Sequence, residues 1–243
     1  MKNVLVTGGC GFIGSNFVKY LISLKCYFPI ILDKLTYAGS KENINQIGEE
    51  SFDIVEADIC DEQLLLNLFK KYKFDGVFHF AAESHVDRSI DAPREFIDTN
   101  IIGTFNLLQA SRTNISKNEN NFKFIHVSTD EVYGDLGSNG YFDEESPHRP
   151  NSPYSASKAA SDHLSRSWSK TFNLPVVITN CSNNYGANQF PEKLIPLMII
   201  NCIDWKQLPV YGNGDNIRDW LCVEDHCISL ETIFSKSEVG ETY

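Results

Sequence analysis

The chain has 243 residues, 42% of them hydrophobic, a formal net charge of −11 at pH 7 and a pI near 5.0. This length predicts one large domain, or one domain with a smaller lobe, and the acidic balance argues against a nucleic-acid partner. With no apolar run long enough to cross a bilayer and glycines by residue 8, neither a membrane span nor a signal peptide is expected. The seven cysteines form no C-x-x-C pair, so we expect reduced core thiols, a cytoplasmic location and no metal site.

The first residues predict a dinucleotide-binding turn. A short apolar run leads into Gly8, Gly11 and Gly14, and an amphipathic segment starts with Phe12 and Ile13. In a strand–turn–helix unit the first glycine suits a tight turn, the second lets the backbone approach a pyrophosphate, and the third lets the helix pack on the strand. The helix N-terminus then attracts the phosphates.

An acid follows at the distance that this motif requires. Asp33 ends the apolar run at 29–32. A carboxylate there accepts hydrogen bonds from the adenosine ribose hydroxyls. Because no arginine neighbours Asp33, the sequence favours NAD over NADP.

Strands and helices alternate along the first 181 residues. This alternation predicts an α/β fold with a Rossmann-type doubly wound parallel sheet, whose ligands bind beyond the carboxyl ends of the strands. We assign residues 1–181 to a NAD-binding domain. After the second strand, the predicted strands are 52–59, 76–82, 122–128 and 175–180, and the predicted helices are 61–72, 93–112 and 153–172.

The pattern changes after residue 181. An irregular polar loop at 183–188 precedes a helix through Lys193 and Ile200, a short strand at 208–211, and a helix at 224–235. We expect residues 182–243 to form part of a smaller C-terminal substrate lobe.

Tyr154 and Lys158 lie four residues apart, on one face of a predicted helix. A phenol normally titrates near pH ~10. A neighbouring ammonium and a positive nicotinamide would favour the phenolate, which predicts Tyr154 as a base near neutral pH. A tyrosine–lysine pair alone occurs by chance, but here it accompanies the nucleotide motif and a Ser128–Thr129 pair at a strand end.

Asp130 and Glu131 follow the same strand end. Two neighbouring carboxyl groups in different surroundings can serve as one acid and one base, which suits the removal of water across a carbon–carbon bond. An Asp-Glu pair is usually a solvated loop or a helix cap, but its place beside the predicted tyrosine and lysine favours a catalytic role.

Together these stretches resemble the extended short-chain dehydrogenase/reductase family, also known as the NAD-dependent epimerase/dehydratase family. Within it, the triplet Thr129-Asp130-Glu131 is typical of sugar-nucleotide dehydratases, and related epimerases typically lack it. The resemblance therefore implies the loss of water from a nucleotide-linked sugar. The matching segments are 7–14, 33–39, 81–89, 128–134, 154–158, 183–186, 190–196 and 217–221.

The resemblance also implies which residues form the site. The catalytic set is Thr129, Asp130, Glu131, Tyr154 and Lys158. The residues expected to bind NAD are Gly8, Gly11, Phe12, Ile13, Gly14, Asp33, Lys34, Leu35, Thr36, Asp58, Ile59, Ala81, Ala82, Glu83, Ser84, Thr99, Tyr154, Lys158 and Asn184. The residues expected to contact the sugar nucleotide are Ser84, Thr129, Asn183, Lys193, Leu194, Pro209, Tyr211 and Arg218.

The implied substrate is dTDP-glucose. Tyr154 would take the C4 hydroxyl proton while hydride passes to NAD, and Thr129 would orient the forming carbonyl. Glu131 would then remove the C5 proton, Asp130 would protonate the departing C6 hydroxyl, and hydride would return to C6 to give dTDP-4-keto-6-deoxy-glucose. The residues leave three alternatives open: a UDP-glucose 4,6-dehydratase, a sugar-nucleotide 4-epimerase, and a non-catalytic NAD-binding module.

The resemblance further implies a homodimer formed through the helices at 93–112 and 153–172. Family members extend beyond this length, so we expect the substrate lobe to be truncated. The sequence does not divide the apolar residues of the first helix between core and partner; these are Phe96, Ile97, Ile101, Phe105 and Leu108.

Overall fold

The strands form one large sheet and one short pair, as described by a computed structural model that covers residues 1–114, 122–137, 140–210 and 212–243. The six strands of the large sheet are β1 (Lys2–Thr7), β2 (Tyr27–Asp33), β3 (Asp53–Glu56), β4 (Gly76–His79), β5 (Lys123–Thr129) and β6 (Val176–Cys181). The short pair is β7 (Asn183–Tyr185) and β8 (Trp220–Cys222).

Helices follow most of the strands. They are α1 (Phe12–Ser23), α2 (Glu62–Tyr72), α3 (Val86–Asp91), α4 (Pro93–Phe96), α5 (Thr104–Asn114), α6 (Pro153–Phe172), α7 (Leu194–Ile203) and α8 (Val223–Lys236). A π-helical segment, Ile97–Gly103, joins α4 to α5. Short 3₁₀ turns occupy Lys41–Asn43, Glu49–Ser51 and Asp130–Tyr133.

All neighbours in the large sheet are parallel, in the order β3-β2-β1-β4-β5-β6. This confirms the predicted Rossmann-type doubly wound sheet. The chain runs outward from β1 in both directions, so the crevice of such a sheet lies beyond the carboxyl ends of β1 and β4, where the order reverses.

The sheet buries both faces because its side chains alternate. Val4 and Val6 belong to a core cluster with Phe17 of α1. Leu5, between them, belongs to the opposite cluster with Leu65 of α2. The continuous apolar runs of the strands are therefore explained by burial on two sides.

Helix α8, near the C-terminal end of the chain, packs into the same core as β1 and α1. Leu230 and Phe234 of α8 share the core cluster that contains Val4 and Phe17. The predicted boundary between residues 181 and 182 stays a prediction: the last strand of the large sheet ends at Cys181, whereas α8 packs against α1 and Thr242 bridges in parallel to Ile178 of β6.

Three predicted elements differ from the structure. Residues 83–91, for which the polar sequence predicts a loop, contain α3, because the His85 side chain accepts the Arg88 amide and caps that helix. The polar loop at 183–188 contains β7, which forms only through pairing with the distant β8. Residues 208–210 of the predicted strand are exposed and are not in a strand, and residue 211 lies outside the described residues.

The structure divides the apolar residues of the predicted helix at 93–112. Phe96 and Leu108 are buried, and the Phe105 ring packs edge-on against Trp168 of α6 at 5.6 Å. Ile97 is 42% exposed. Core and surface residues therefore alternate along this segment.

The expectation of core cysteines is only partly met. All seven cysteines are free, but Cys10 and Cys227 are buried whereas Cys26 and Cys202 are exposed. Among the residues that the structure describes, no helix has both the length and the apolar character to cross a membrane, and no group of His, Cys, Asp or Glu could hold a metal ion.

Candidate active site

A cavity of about 520 Å³ lies at the carboxyl ends of β1, β2, β4, β5 and β6. Its wall brings together most of the residues predicted from the sequence. From the cofactor set, the wall contains Gly8, Gly11, Phe12, Ile13, Gly14, Asp33, Lys34, Thr36, Asp58, Ile59, Ala81, Ala82, Glu83, Ser84, Thr99, Tyr154, Lys158 and Asn184. From the catalytic and substrate sets it also contains Thr129, Glu131, Asn183, Lys193, Leu194 and Pro209.

The glycine turn leaves no room for side chains. Gly8 has φ +69°, and a Cβ there would lie 2.8 Å from the amide nitrogen of Ala81. A Cβ on Gly14 would collide with the carbonyl oxygen of Gly8. The turn thus forms a bare backbone cradle at the start of α1, which fits the pyrophosphate of a dinucleotide.

Asp33 holds this cradle to β2. Its Oδ2 accepts the amide of Cys10 at 2.9 Å, and its Oδ1 accepts the amide of Leu35 at 2.8 Å. Each oxygen retains acceptor capacity for a ribose hydroxyl. The Leu35 side chain packs against the core and its amide donates to Asp33, and the expectation that this residue binds NAD stays a prediction.

Lys34 and Asp58 form an ion pair in the cavity wall, with Nζ and Oδ2 2.7 Å apart. Burial opposes ionisation of Asp58, but Lys34 and the Cys60 amide outweigh it and hold the pKa of this carboxyl below its usual range. The pair fixes the loop after β2 against the loop after β3.

Sequence reasoning missed Asn100, a buried residue of the π-helical segment. Its Oδ1 accepts the Glu83 amide at 2.9 Å, and its Nδ2 donates to the Glu83 carbonyl at 3.0 Å and to Ser157 Oγ at 2.8 Å. Asn100 therefore fixes the wall segment after β4 against α6. No signal in the sequence separates Asn100 from the other polar residues of the predicted helix at 93–112.

The sequence at the start of α6 sets the place of the tyrosine. Ser152 and Ser155 form a reciprocal capping box, and Pro153 occupies the first turn, so the helix begins where Tyr154 faces the cavity. Lys158, one turn further on, is buried and donates to the Val127 carbonyl at 2.9 Å.

The expectation of a phenolate near neutral pH depends on a positive nicotinamide beside Tyr154, and it stays a prediction. Burial, followed by the negative charge of Glu131, raises the pKa of Tyr154, and a hydrogen bond with Thr129 offsets only part of this effect. Burial also lowers the pKa of Lys158, against the influence of Asp162. The low-dielectric surroundings therefore disfavour the charged form of each group.

Thr129 ends β5 and caps the following 3₁₀ turn by accepting the Glu131 amide at 3.3 Å. Its hydroxyl also lies 3.3 Å from Asp130 Oδ1. Burial raises the pKa of both carboxyl groups, and Asp130 raises that of Glu131 further, while Arg218 opposes both shifts. Glu131 lines the cavity, and Asp130 precedes it in the chain, with its Oδ1 beside the hydroxyl of Thr129, which also lines the cavity.

One predicted substrate contact, Arg218, is not among the described residues that line the wall. Arg218 is exposed, and its Nη1 donates to the carbonyl of Ile217 at 2.7 Å. Because residues 212–219 are all exposed, no packing brings this arginine to the wall. Tyr211 lies outside the described residues.

Cys181 is a second residue that sequence reasoning missed. It ends β6, lies in the cavity wall, and its thiol contacts the Ser128 carbonyl and the Asn184 amide at 3.5 Å. The general rule that strand ends meet at the ligand crevice was the available signal.

Comparisons with known proteins agree with this geometry. The family model described as GDP-mannose 4,6 dehydratase matches residues 5–243. A dTDP-glucose 4,6-dehydratase from Neisseria meningitidis serogroup B is 53% identical over 249 residues, covering 100% of this chain and 70% of that protein. The crystal structure of the Bacillus anthracis dTDP-glucose 4,6-dehydratase in complex with NAD has a TM-score of 0.90 at 46% identity, covering 100% of this chain and 74% of that one.

An epimerase is more distant. The UDP-glucose 4-epimerase of Thermus thermophilus, solved with NAD, has a TM-score of 0.88 but only 28% identity, covering 99% of this chain and 76% of that one. The fold is thus shared across both activities, whereas sequence identity is far higher with the dehydratases. The chain belongs to the family of the dTDP-glucose 4,6-dehydratases, which are NAD-dependent hydro-lyases.

Proposed function

We propose that this chain converts dTDP-glucose to dTDP-4-keto-6-deoxy-glucose. One observation carries the proposal: Thr129, Glu131, Tyr154 and Lys158 share a cavity wall with the bare glycine cradle. This juxtaposition supports a redox-assisted elimination, because proton-transfer groups face the same space that would hold the dinucleotide. The glycine cradle and Asp33 would hold NAD, which when bound accepts a hydride from C4 of the sugar and returns it to C6.

Tyr154 would act as the base in the first proton transfer. Its phenolate would take the C4 hydroxyl proton, and Lys158 would support that phenolate with its positive charge. Thr129, held at the end of β5, would donate to the forming C4 carbonyl oxygen.

The two carboxyl groups, Asp130 and Glu131, would catalyse the loss of water. A ketone at C4 acidifies the C5 proton, which Glu131 would remove. The electron pair forms the C5–C6 double bond as the C6–oxygen bond breaks, and Asp130 would give its proton to the departing hydroxyl. A raised pKa suits an acid that must hold a proton near neutral pH, and it makes the ionised Glu131 a stronger base. Glu131 would then return its proton to C5.

Lys193 is the basic side chain that we assign to the substrate-binding part of the cavity. It lines the cavity and donates to the Ser84 carbonyl at 3.3 Å. Burial lowers its pKa, against the influence of the neighbouring Glu192 and Glu131. We assign it, with Asn183, Leu194 and Pro209, to the sugar nucleotide, and we keep Arg218 as a diphosphate contact that its exposed segment would bring in only when substrate is bound.

The deciding experiment is mass analysis of dTDP-glucose and UDP-glucose after incubation with the purified chain and NAD. Loss of one water from the dTDP sugar is the expected result. Loss of water from the UDP sugar alone would instead indicate a UDP-glucose 4,6-dehydratase. An unchanged mass with inversion at C4 would indicate an epimerase. NAD binding without turnover would favour a non-catalytic module.

We also propose a homodimer and a cytoplasmic location. Ile90, Ile97 and Ile102 are 66%, 42% and 45% exposed on the helices that precede α6, an apolar set that suits a partner subunit. Seven unpaired cysteines suit a reducing compartment. Sedimentation of the purified chain, compared with an Ile97→Asp, Ile102→Asp double variant, would test the dimer.

A further inference from the structure

Three segments of the chain meet at the rim of the cavity: the loop after β2, the start of α3 and the loop before α7. Tyr37 Oη donates to Glu192 Oε1 at 2.9 Å. On the other side of this carboxylate, His85 Nε2 lies 3.7 Å from Glu192 Oε2. His85 Nδ1 accepts the Arg88 amide at 3.5 Å, so in the neutral ring the hydrogen is on Nε2, facing Glu192. The Glu192 carboxylate thus joins the other two segments.

Two further contacts hold the phenol ring in place. The Arg88 guanidinium lies 3.9 Å from the centre of the Tyr37 ring, in cation–π contact. The Phe190 ring meets the Tyr37 ring edge-on, with centroids 5.4 Å apart and an angle of 90°. Burial and the hydrogen bond to Glu192 raise the pKa of Tyr37 to about 12, so its hydroxyl keeps the donated hydrogen across the physiological range.

These contacts cross the cleft from one wall to the other. Thr36 and Ala38 flank Tyr37 and line the cavity, as do Phe190 and Glu192 on the opposite segment. Tyr37 itself is 39% exposed, which places the contact at the solvent edge. The bridge therefore spans the opening on the side where the segment after Asp33 forms the wall.

We propose that Tyr37, His85, Arg88, Phe190 and Glu192 form a clasp that retains NAD in the cleft from one turnover to the next. The proposal rests on the proposed function, in which the hydride taken from C4 returns to C6. Because the cofactor is regenerated within each cycle, an enzyme of this kind gains nothing by releasing it. Bridging two walls with contacts that must break together slows departure without adding any group to the chemistry.

The test is the rate of NAD dissociation, measured by stopped-flow displacement of a fluorescent NAD analogue with excess NAD. Tyr37→Phe keeps the ring contacts and removes only the hydroxyl, and Glu192→Gln keeps the size and removes the charge. We expect each to release the analogue roughly five- to tenfold faster, as loss of a partly exposed hydrogen bond to a charged group predicts. The double variant should release it no faster than the stronger single variant, because both remove one contact.

Tyr27→Phe is the matched control. Tyr27 Oη donates to Glu231 Oε1 at 2.7 Å, the same kind of bond between β2 and α8, away from the cavity wall. We expect this variant to release NAD at the wild-type rate. The clasp would be overturned if the rate of NAD dissociation from Tyr37→Phe were within twofold of the wild-type rate, or if Tyr27→Phe released NAD equally fast. Neither result would affect the proposed function, which the dehydratase assay tests separately. A chain that binds no NAD would overturn both.

Discussion

Nδ2 of Asn180 lies 3.1 Å from the main-chain carbonyl oxygen of Thr129, and it also donates to Oδ2 of Asp162 at 3.2 Å. Oδ1 of the same carboxylate lies 3.1 Å from Nε2 of His126, and both His126 and Asp162 are buried. A buried polar network therefore ties Thr129, which we propose orients the substrate carbonyl, to α6, one turn beyond Lys158.

We expect Asp162→Asn to make Lys158 lose its proton at lower pH. Burial lowers the pKa of Lys158 and the Asp162 carboxylate opposes this effect, so a neutral amide lowers the pKa further. Burial raises the pKa of Cys181 to about 12 and lowers that of His126, which leaves both of these neighbours uncharged near neutral pH. If the ammonium supports catalysis, the alkaline limb of the kcat profile moves down by roughly one pH unit.

Ser161→Ala is the control for this shift. It removes a hydroxyl 3.0 Å from His126 Nε2 without changing any charge. The alkaline limb should stay in place in this variant. Equal displacement in both variants would mean that the network acts only through structure.

We expect NAD binding to release protons from the chain. Burial and Glu131 raise the pKa of Tyr154, so the phenol is protonated at pH 7 before NAD binds. A positive nicotinamide lowers that pKa, and activity is then lost as the pH falls through the lowered value. Calorimetry in two buffers of different ionisation enthalpy measures the release, and Tyr154→Phe should abolish it. Identical binding enthalpies in the two buffers would count against Tyr154 as the base.

Asp130→Asn should slow the loss of water more than the first oxidation. The amide cannot protonate the departing hydroxyl, and removal of a general acid costs roughly 10²- to 10⁴-fold in rate. Rapid quenching with mass analysis should find the dehydrogenated but still hydrated sugar nucleotide accumulating. Asp135→Asn changes an exposed acid nearby and should turn over normally. Unchanged turnover in Asp130→Asn would remove the acid role.

Gly14→Ala should destabilise the fold and abolish NAD binding together. Its Cβ would collide with the backbone of Gly8, which cannot move without opening the cradle, and overpacking of this kind costs about 1–3 kcal/mol in the free energy of unfolding. Gly48→Ala meets only the flexible Glu50 side chain, at φ −60°, and should change neither property. Thermal unfolding with and without NAD provides both readings. An alanine tolerated at position 14 would show that the close approach is not required.

Local signals in the sequence predicted the residues that we assign to the nucleotide half of the site. The glycine spacing, the acid at the end of β2 and the helical spacing of Tyr154 and Lys158 are each short-range features, and all of these residues lie in the wall of one cavity. The alternation of apolar runs and amphipathic helices likewise specified the parallel sheet, because a strand buried on two faces must be apolar throughout.

The C-terminal segment was harder to predict because its structure depends on distant partners. β7 exists only through its pairing with β8, which lies much later in the chain. Its polar sequence taken alone therefore predicts a loop. Arg218 matches the family pattern, yet its segment is exposed and does not reach the wall. A motif fixes the identity of such a residue and not its position.

The sequence by itself determined the fold class and the cofactor and predicted the reactive groups, since these follow from spacing within continuous segments. The pKa shifts of the reactive groups, and the contacts that hold these groups in place, depend on the tertiary structure. Burial, which no local pattern measures, raises the pKa of Tyr154 and lowers that of Lys158. Asn180 and Glu192 join parts of the chain that are far apart in sequence. Desolvation and long-range contacts arise only when the chain closes on itself, which is why the structure was needed to find them.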